Sequence, residues 1–218
     1  MTYIKICGIT EKIHAFTATE AGADFIGLVF APSKRQVPPA IAREIISAVR
    51  KEKQSLKIAG VFVNTPPSEV NQIADFCALD WVQLSGDEPW EYCSSITRPI
   101  IKAIRINQQR PEEICAEFIE NTKMLPPGKI IPLLDSQVQD QYGGTGITFD
   151  WEIAGQVAQR FPVIIAGGLN PENVATAIKA VSPWGVDVSS GVETTGVKDI
   201  AKIKAFIEAV RRVNENNG

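Results

Sequence analysis

Val163-Ile164-Ile165-Ala166-Gly167-Gly168-Leu169-Asn170-Pro171-Glu172-Asn173-Val174 is the stretch on which the fold turns. Four apolar, mostly β-branched residues stop at a glycine pair. Asn-Pro-Glu follows, with asparagine suited to a helix N-cap and proline to the first helical position. A short strand that turns on glycine into a helix is a βα unit, and the same order recurs outward in both directions. Apolar runs at residues 3–7, 25–30, 57–63, 81–84, 100–104, 130–134, 163–166 and 186–189 read as strands. Amphipathic stretches at 10–21, 39–50, 68–76, 88–95, 111–122, 149–160, 171–180 and 199–213 read as helices, with Thr10-Glu11 and Ser68-Glu69 as further start signals. Such alternation means parallel strands joined by helical crossovers. Either a closed barrel or a doubly wound open sheet satisfies it. A dinucleotide-binding sheet would carry G-x-G-x-x-G after its first strand, where this chain has Cys7-Gly8-Ile9-Thr10. Eight units without a change of composition favour the barrel. The expectation is a single (β/α)8 TIM barrel over residues 1–218, with Pro126-Pro127-Gly128 in a connection into the sixth strand.

Composition narrows the function. Apolar residues at 44% and charged residues at 22% are globular values. A net charge of −3 with no Lys/Arg block argues against nucleic acid as a partner. No uncharged run exceeds 11 residues, so no membrane span is expected. The start, Met1 to Cys7, lacks the pattern of an export signal, and cytoplasm is the expected location. Cys7, Cys77, Cys93 and Cys115 form no C-x-x-C pair, and His14 is the one histidine. Free thiols and no metal site are expected. The oligomeric state stays open, a monomer included.

In a barrel of this kind, chemistry gathers where strands end and loops enter helices. Gly167-Gly168 after the seventh strand and Ser190-Gly191 after the eighth let backbone N–H groups approach an anion, at the addresses where barrels commonly hold phosphate. Asp135 ends the run Ile130-Ile131-Pro132-Leu133-Leu134. It is placed either for general-acid work at a partly desolvated mouth or as a cap or surface ion partner. Cys7 ends the first strand and shares a face with Lys5, whose ammonium would favour a thiolate; an inert buried cysteine is the plainer reading. Arg35, in Pro32-Ser33-Lys34-Arg35, reads from the fold alone as a solvated loop charge. Gly143-Gly144-Thr145-Gly146 lies in a connection of about 14 residues, long enough for a lid. His14, Cys77, Cys93 and Cys115 are given no role.

Taken in order, Lys5-Ile6-Cys7-Gly8-Ile9-Thr10, Ser33-Lys34-Arg35, Gly60-Val61-Phe62-Val63-Asn64, Val82-Gln83-Leu84, Leu133-Leu134-Asp135, Gly143-Gly144-Thr145-Gly146, Gly167-Gly168-Leu169-Asn170-Pro171-Glu172-Asn173-Val174 and Asp187-Val188-Ser189-Ser190-Gly191-Val192-Glu193 resemble the phosphoribosylanthranilate isomerase family over nearly the whole chain. The resemblance implies a (β/α)8 barrel, no cofactor, no metal and a small phosphosugar substrate. The implied reaction is an Amadori rearrangement of N-(5-phosphoribosyl)anthranilate to 1-(2-carboxyphenylamino)-1-deoxyribulose 5-phosphate, the third step of tryptophan synthesis from chorismate. It makes Cys7 the general base, Asp135 the general acid and Arg35 the anchor of the anthranilate carboxylate, with Gly144, Gly167, Gly168, Ser190 and Gly191 on the substrate. One departure stands out: Ser85 follows Val-Gln-Leu where the family commonly has histidine. The stretch 121–129 is also longer than the family pattern. Rival phosphate-binding barrels fit less well. An indoleglycerol-phosphate synthase calls for a strand-end lysine acid, a metal-dependent epimerase for several histidines. A non-catalytic phosphosugar-binding barrel needs neither Cys7 nor Asp135.

Overall fold

Eight parallel strands hydrogen-bond in sequence order and close on themselves, β1 pairing both β2 and β8. They are β1 (Tyr3–Cys7), β2 (Phe25–Val29), β3 (Lys57–Phe62), β4 (Trp81–Leu84), β5 (Ile100–Arg105), β6 (Ile130–Asp135), β7 (Ile164–Ala166) and β8 (Gly185–Val188). Around them lie α1 (Lys12–Ala21), α2 (Pro39–Glu52), α3 (Pro67–Cys77), α4 (Pro111–Thr122), α5 (Trp151–Ala158), α6 (Val174–Val181) and α7 (Ile200–Asn216). A hairpin of β9 (Glu193–Thr194) and β10 (Val197–Lys198) interrupts the link from β8 to α7. The computed structural model describes residues 1–105, 110–123, 125–135 and 151–216.

Strand alternation divides the apolar residues into two shells. Ile4, Ile6, Ile26, Leu28, Val82 and Leu84 face outward into a continuous core shared with the helices, while Ala59, Ile101, Ile131, Leu133, Ile164 and Ala166 fill the barrel interior. The end where the strands begin is closed by four rings. Tyr3, Phe25, Trp81 and Trp184 lie at or beside strand starts, with ring centroids 4.5 Å apart for Tyr3–Trp184 and 6.1 Å for Phe25–Trp81. The other end is left for polar residues.

The strand readings agree with the structure to within a residue at each end. Four helix readings need correction. The fourth crossover, expected as a helix over 88–95, is only a 3-10 turn, Trp90–Ser95. Glu88 is the reason. Its buried carboxylate accepts from the backbone N–H of Asn64 (2.8 Å) and of Gly86 and pairs with Lys102 at 3.1 Å, so the chain is tied down where a helix would start. α3 starts on Pro67, ahead of Ser68, and α1 on Lys12 without a side-chain cap from Thr10 or Glu11. α6 begins at Val174 because Asn170 acts one turn earlier, its Oδ1 accepting from the N–H groups of Glu172 and Asn173. The start of the helix expected over 149–160 lies outside the described residues.

Candidate active site

Cys7, the last residue of β1, is buried at the strand-end mouth of the barrel. Two residues back on the same face, Lys5 donates from Nζ to Oδ1 of Asp187 on β8 at 3.0 Å, and both side chains are buried. Gly27 on β2 makes the room for them. A Cβ there would sit 2.8 Å from Cys7 Sγ and 3.0 Å from Lys5 Nζ. The ammonium is therefore where the strand alternation puts it, but its charge is shared with Asp187. Burial pushes the Cys7 thiol above its ordinary value, and Asp187 adds to that, outweighing the pull of Lys5. Lys5 does favour the thiolate, as the shared face suggests, but burial and Asp187 oppose it.

Asp135 closes β6, with its backbone in register with Arg105 and Ala166. Burial, and then the charge of Asp187, raise its carboxyl from the ordinary value, against a smaller opposing pull from Arg105. That is the direction a proton donor needs. Asp187 is thus in electrostatic reach of both Cys7 and Asp135, a central position that the sequence reading missed. The signal was present as two opposite charges, Lys5 and Asp187, each on an inward position of an otherwise apolar strand.

Arg35 is not a free surface charge. Its Nε and one Nη donate to the two carboxylate oxygens of Glu193 at 2.6 and 2.9 Å. Lys198 donates to the same carboxylate at 2.7 Å. Burial by itself would raise the Glu193 carboxyl, but the bonds from Arg35 and Lys198 pull it down to about 2. The Arg35 stem lies over Gly8, where a Cβ would come within 2.5 Å of Cδ, and this brings the guanidinium beside the end of β1.

The glycine loops meet as their addresses predict. Gly167 and Gly168 both have positive φ, 88° and 64°, a backbone that suits glycine. Ser190 and Gly191 open a 3-10 turn after β8. A Cβ on Gly191 would fall 1.8 Å from the Leu169 carbonyl oxygen, so the two loops touch through a residue that has to be glycine. Elsewhere on the barrel, on β4, Gln83 Nε2 donates to the Ser85 hydroxyl at 3.1 Å, and Gln83 Oε1 is buried without a partner among the described residues. Gly144 and the rest of its glycine cluster lie outside the described residues. Among the described residues no three His, Cys, Asp or Glu side chains gather as a metal site requires.

Known proteins match this architecture along its length. The family model for N-(5'phosphoribosyl)anthranilate (PRA) isomerase matches residues 4–209. The N-(5'-phosphoribosyl)anthranilate isomerase of Dehalococcoides mccartyi is 45% identical over 217 residues, 99% of each chain. That of Roseiflexus castenholzii is 46% identical over 213 residues, covering 95% of this chain and 97% of its own. The crystal structure of the Thermotoga maritima phosphoribosyl anthranilate isomerase superposes with a TM-score of 0.84 at 40% identity, over 97% of this chain and all of the other. A phosphoribosyl anthranilate isomerase structure in complex with reduced 1-(o-carboxyphenylamino)-1-deoxyribulose 5-phosphate gives 0.82 at 37% identity over 97% of this chain and all of the other. With strand ends, glycine loops and buried mouth all in the family's order, the chain belongs to the N-(5′-phosphoribosyl)anthranilate isomerases, TIM-barrel enzymes of tryptophan biosynthesis that interconvert an aminoaldose and an aminoketose.

Proposed function

We propose that this chain rearranges N-(5-phosphoribosyl)anthranilate with Asp135 as general acid and Cys7 as general base. Asp135 gives its proton to the ribose ring oxygen. The furanose opens, and the electron pair of the anthranilate nitrogen forms a cationic iminium at C1. That cation acidifies the C2–H bond, and the Cys7 thiolate takes the C2 proton. The enolamine so formed moves its hydroxyl proton and gains one at C1, which leaves the C2 ketone. Phosphate lies against Gly167, Gly168, Ser190 and Gly191, where backbone N–H groups favour an anion. The anthranilate carboxylate lies on the Nη1–Nη2 edge of Arg35, the edge not taken by Glu193. The reading takes residues 1–218 as one catalytic domain, acting in the cytoplasm on a small phosphosugar.

The observation that carries it is the environment of Asp135, a carboxyl raised by burial at the same mouth as a buried thiol. Cys7→Ser and Asp135→Asn each keep shape and lose the proton-transfer group. Each should lower kcat by about 10²–10⁴-fold with KM little changed. Steady-state turnover of the anthranilate substrate decides it. A variant that retains more than a few per cent of the rate removes its residue from the assignment.

A further inference from the structure

The hairpin that follows β8 has a part in substrate recognition beyond carrying the chain to α7. We propose that Glu193 is a positioning residue that aims Arg35 at the substrate carboxylate, and that Lys198 fixes Glu193 in turn; this rests on the reading of Arg35 as the carboxylate anchor.

Four observations support it. First, an arginine side chain is long and rotatable, and holding its fork in one orientation has an entropic cost that a second partner must offset. Glu193 provides that partner in two-point form, at 2.6 and 2.9 Å, from a side chain that is only 5% exposed. Second, the backbone holds Glu193 in place. β9 and β10 are joined by Thr195 and Gly196 with φ of 51° and 83°, the paired positive values of a tight hairpin turn. Their register sets Lys198 directly opposite Glu193. Third, the charges are unequal. One carboxylate faces the guanidinium of Arg35, the ammonium of Lys198 at 2.7 Å and that of Lys34 at 3.9 Å, so the cluster keeps a positive excess for an anionic ligand. Glu193 paired with Arg35 alone would leave none. Fourth, Lys198 Nζ also donates to the carbonyl oxygen of Ser189 at 2.9 Å, next to Ser190 and Gly191. A continuous chain of bonds, Ser189 to Lys198 to Glu193 to Arg35, therefore joins the loop assigned to phosphate to the residue assigned to the carboxylate. The span between the two ends of the substrate is set by this chain of contacts.

A double-mutant cycle on the full-length enzyme tests it, with two substrates: N-(5-phosphoribosyl)anthranilate and the analogue carrying aniline in its place. Glu193→Gln should lower kcat/KM for the true substrate by about ten- to hundred-fold, the worth of one charged hydrogen bond, mostly through KM. The aniline analogue should be handled as by the unmodified enzyme. In an Arg35→Ala background Glu193→Gln should add nothing, since there is no guanidinium left to aim. Equal losses on both substrates, an additive loss in the double variant or no loss at all would each overturn the role of Glu193. Should Glu193→Gln fail to fold by circular dichroism, Glu193→Asp keeps the charge on a shorter arm. It should then show a smaller loss confined to the carboxylate substrate, and an equal loss on both would again overturn the role. Arg35→Ala by itself separates the two layers. If it harms both substrates alike, the carboxylate reading of Arg35 falls. If its loss is confined to the carboxylate substrate, that reading stands whatever Glu193 does.

Discussion

At the mouth of the barrel, the two groups assigned to proton transfer titrate in the reverse of the order in which they are used. Burial raises the Cys7 thiol above its ordinary value near 9.0, and it raises the Asp135 carboxyl from 3.8, which leaves the thiol the weaker acid. The working form, thiolate with neutral carboxyl, is then a minority at every pH. Below the carboxyl pKa, Asp135 is protonated and the rate climbs with the thiolate population. Between the two pKa values the gain in thiolate cancels the loss of protonated carboxyl, and the rate is flat. Above the thiol pKa only the loss remains. The acidic limb of kcat/KM therefore reports Asp135 and the alkaline limb Cys7. In Asp135→Asn the residual rate should keep climbing through the neutral range where the unmodified enzyme is flat. A residual profile of unmodified shape would show that another group sets the acidic limb.

Among the elements, the loops after β7 and β8 behave as one unit because Gly191 sits against the Leu169 carbonyl. Gly191 and Gly168 in these loops should respond differently to a methyl group. At Gly191 the obstacle is backbone, 1.8 Å from the new Cβ, and the loops must part. Gly191→Ala should cost about 1–3 kcal/mol, the range for overpacking, read as a higher KM and weaker inhibition by inorganic phosphate. At Gly168 a Cβ would meet nothing within 4 Å, and only the φ of 64° resists it. Gly168→Ala should therefore cost less, about 1 kcal/mol. The reverse ranking would mean that the contact between the loops does not shape the phosphate site. The same scale explains why the fourth crossover has no α-helix. Residues 88–95 carry helical spacing, but Glu88 is held by Lys102, Asn64 and Gly86 before a helix can begin.

Over the whole molecule, stability and chemistry occupy opposite ends of the barrel, as the fold allows. The ring cluster lies at the strand starts, whereas Cys7 and Asp135 end their strands. Phe25, 5% exposed, is central to that cluster, meeting Tyr3, Trp81 and Trp184. Phe25→Ala should lower the free energy of unfolding by about 3–5 kcal/mol, measured by denaturant titration. In the folded fraction kcat should match that of the unmodified enzyme. A fall in kcat at full folding would show that the two ends are coupled.

What the sequence alone determined is what short-range physics controls. Strand and helix periods, the glycine turns and the strand-end addresses of Cys7, Arg35, Asp135, Gly168 and Gly191 depend on neighbours within a few positions, and the closed barrel follows from repeating that unit eight times. Tertiary structure decided the electrostatics. Lys5 pairs with Asp187 across 182 positions, and Arg35 with Glu193 across 158. Burial, with Asp187, opposes the pull of Lys5 toward a thiolate at Cys7, and the Arg35–Glu193 pairing turns an apparently solvated loop charge into an oriented fork. Neither is visible locally, because a pKa and a side-chain direction depend on burial and on partners that only barrel closure brings within reach.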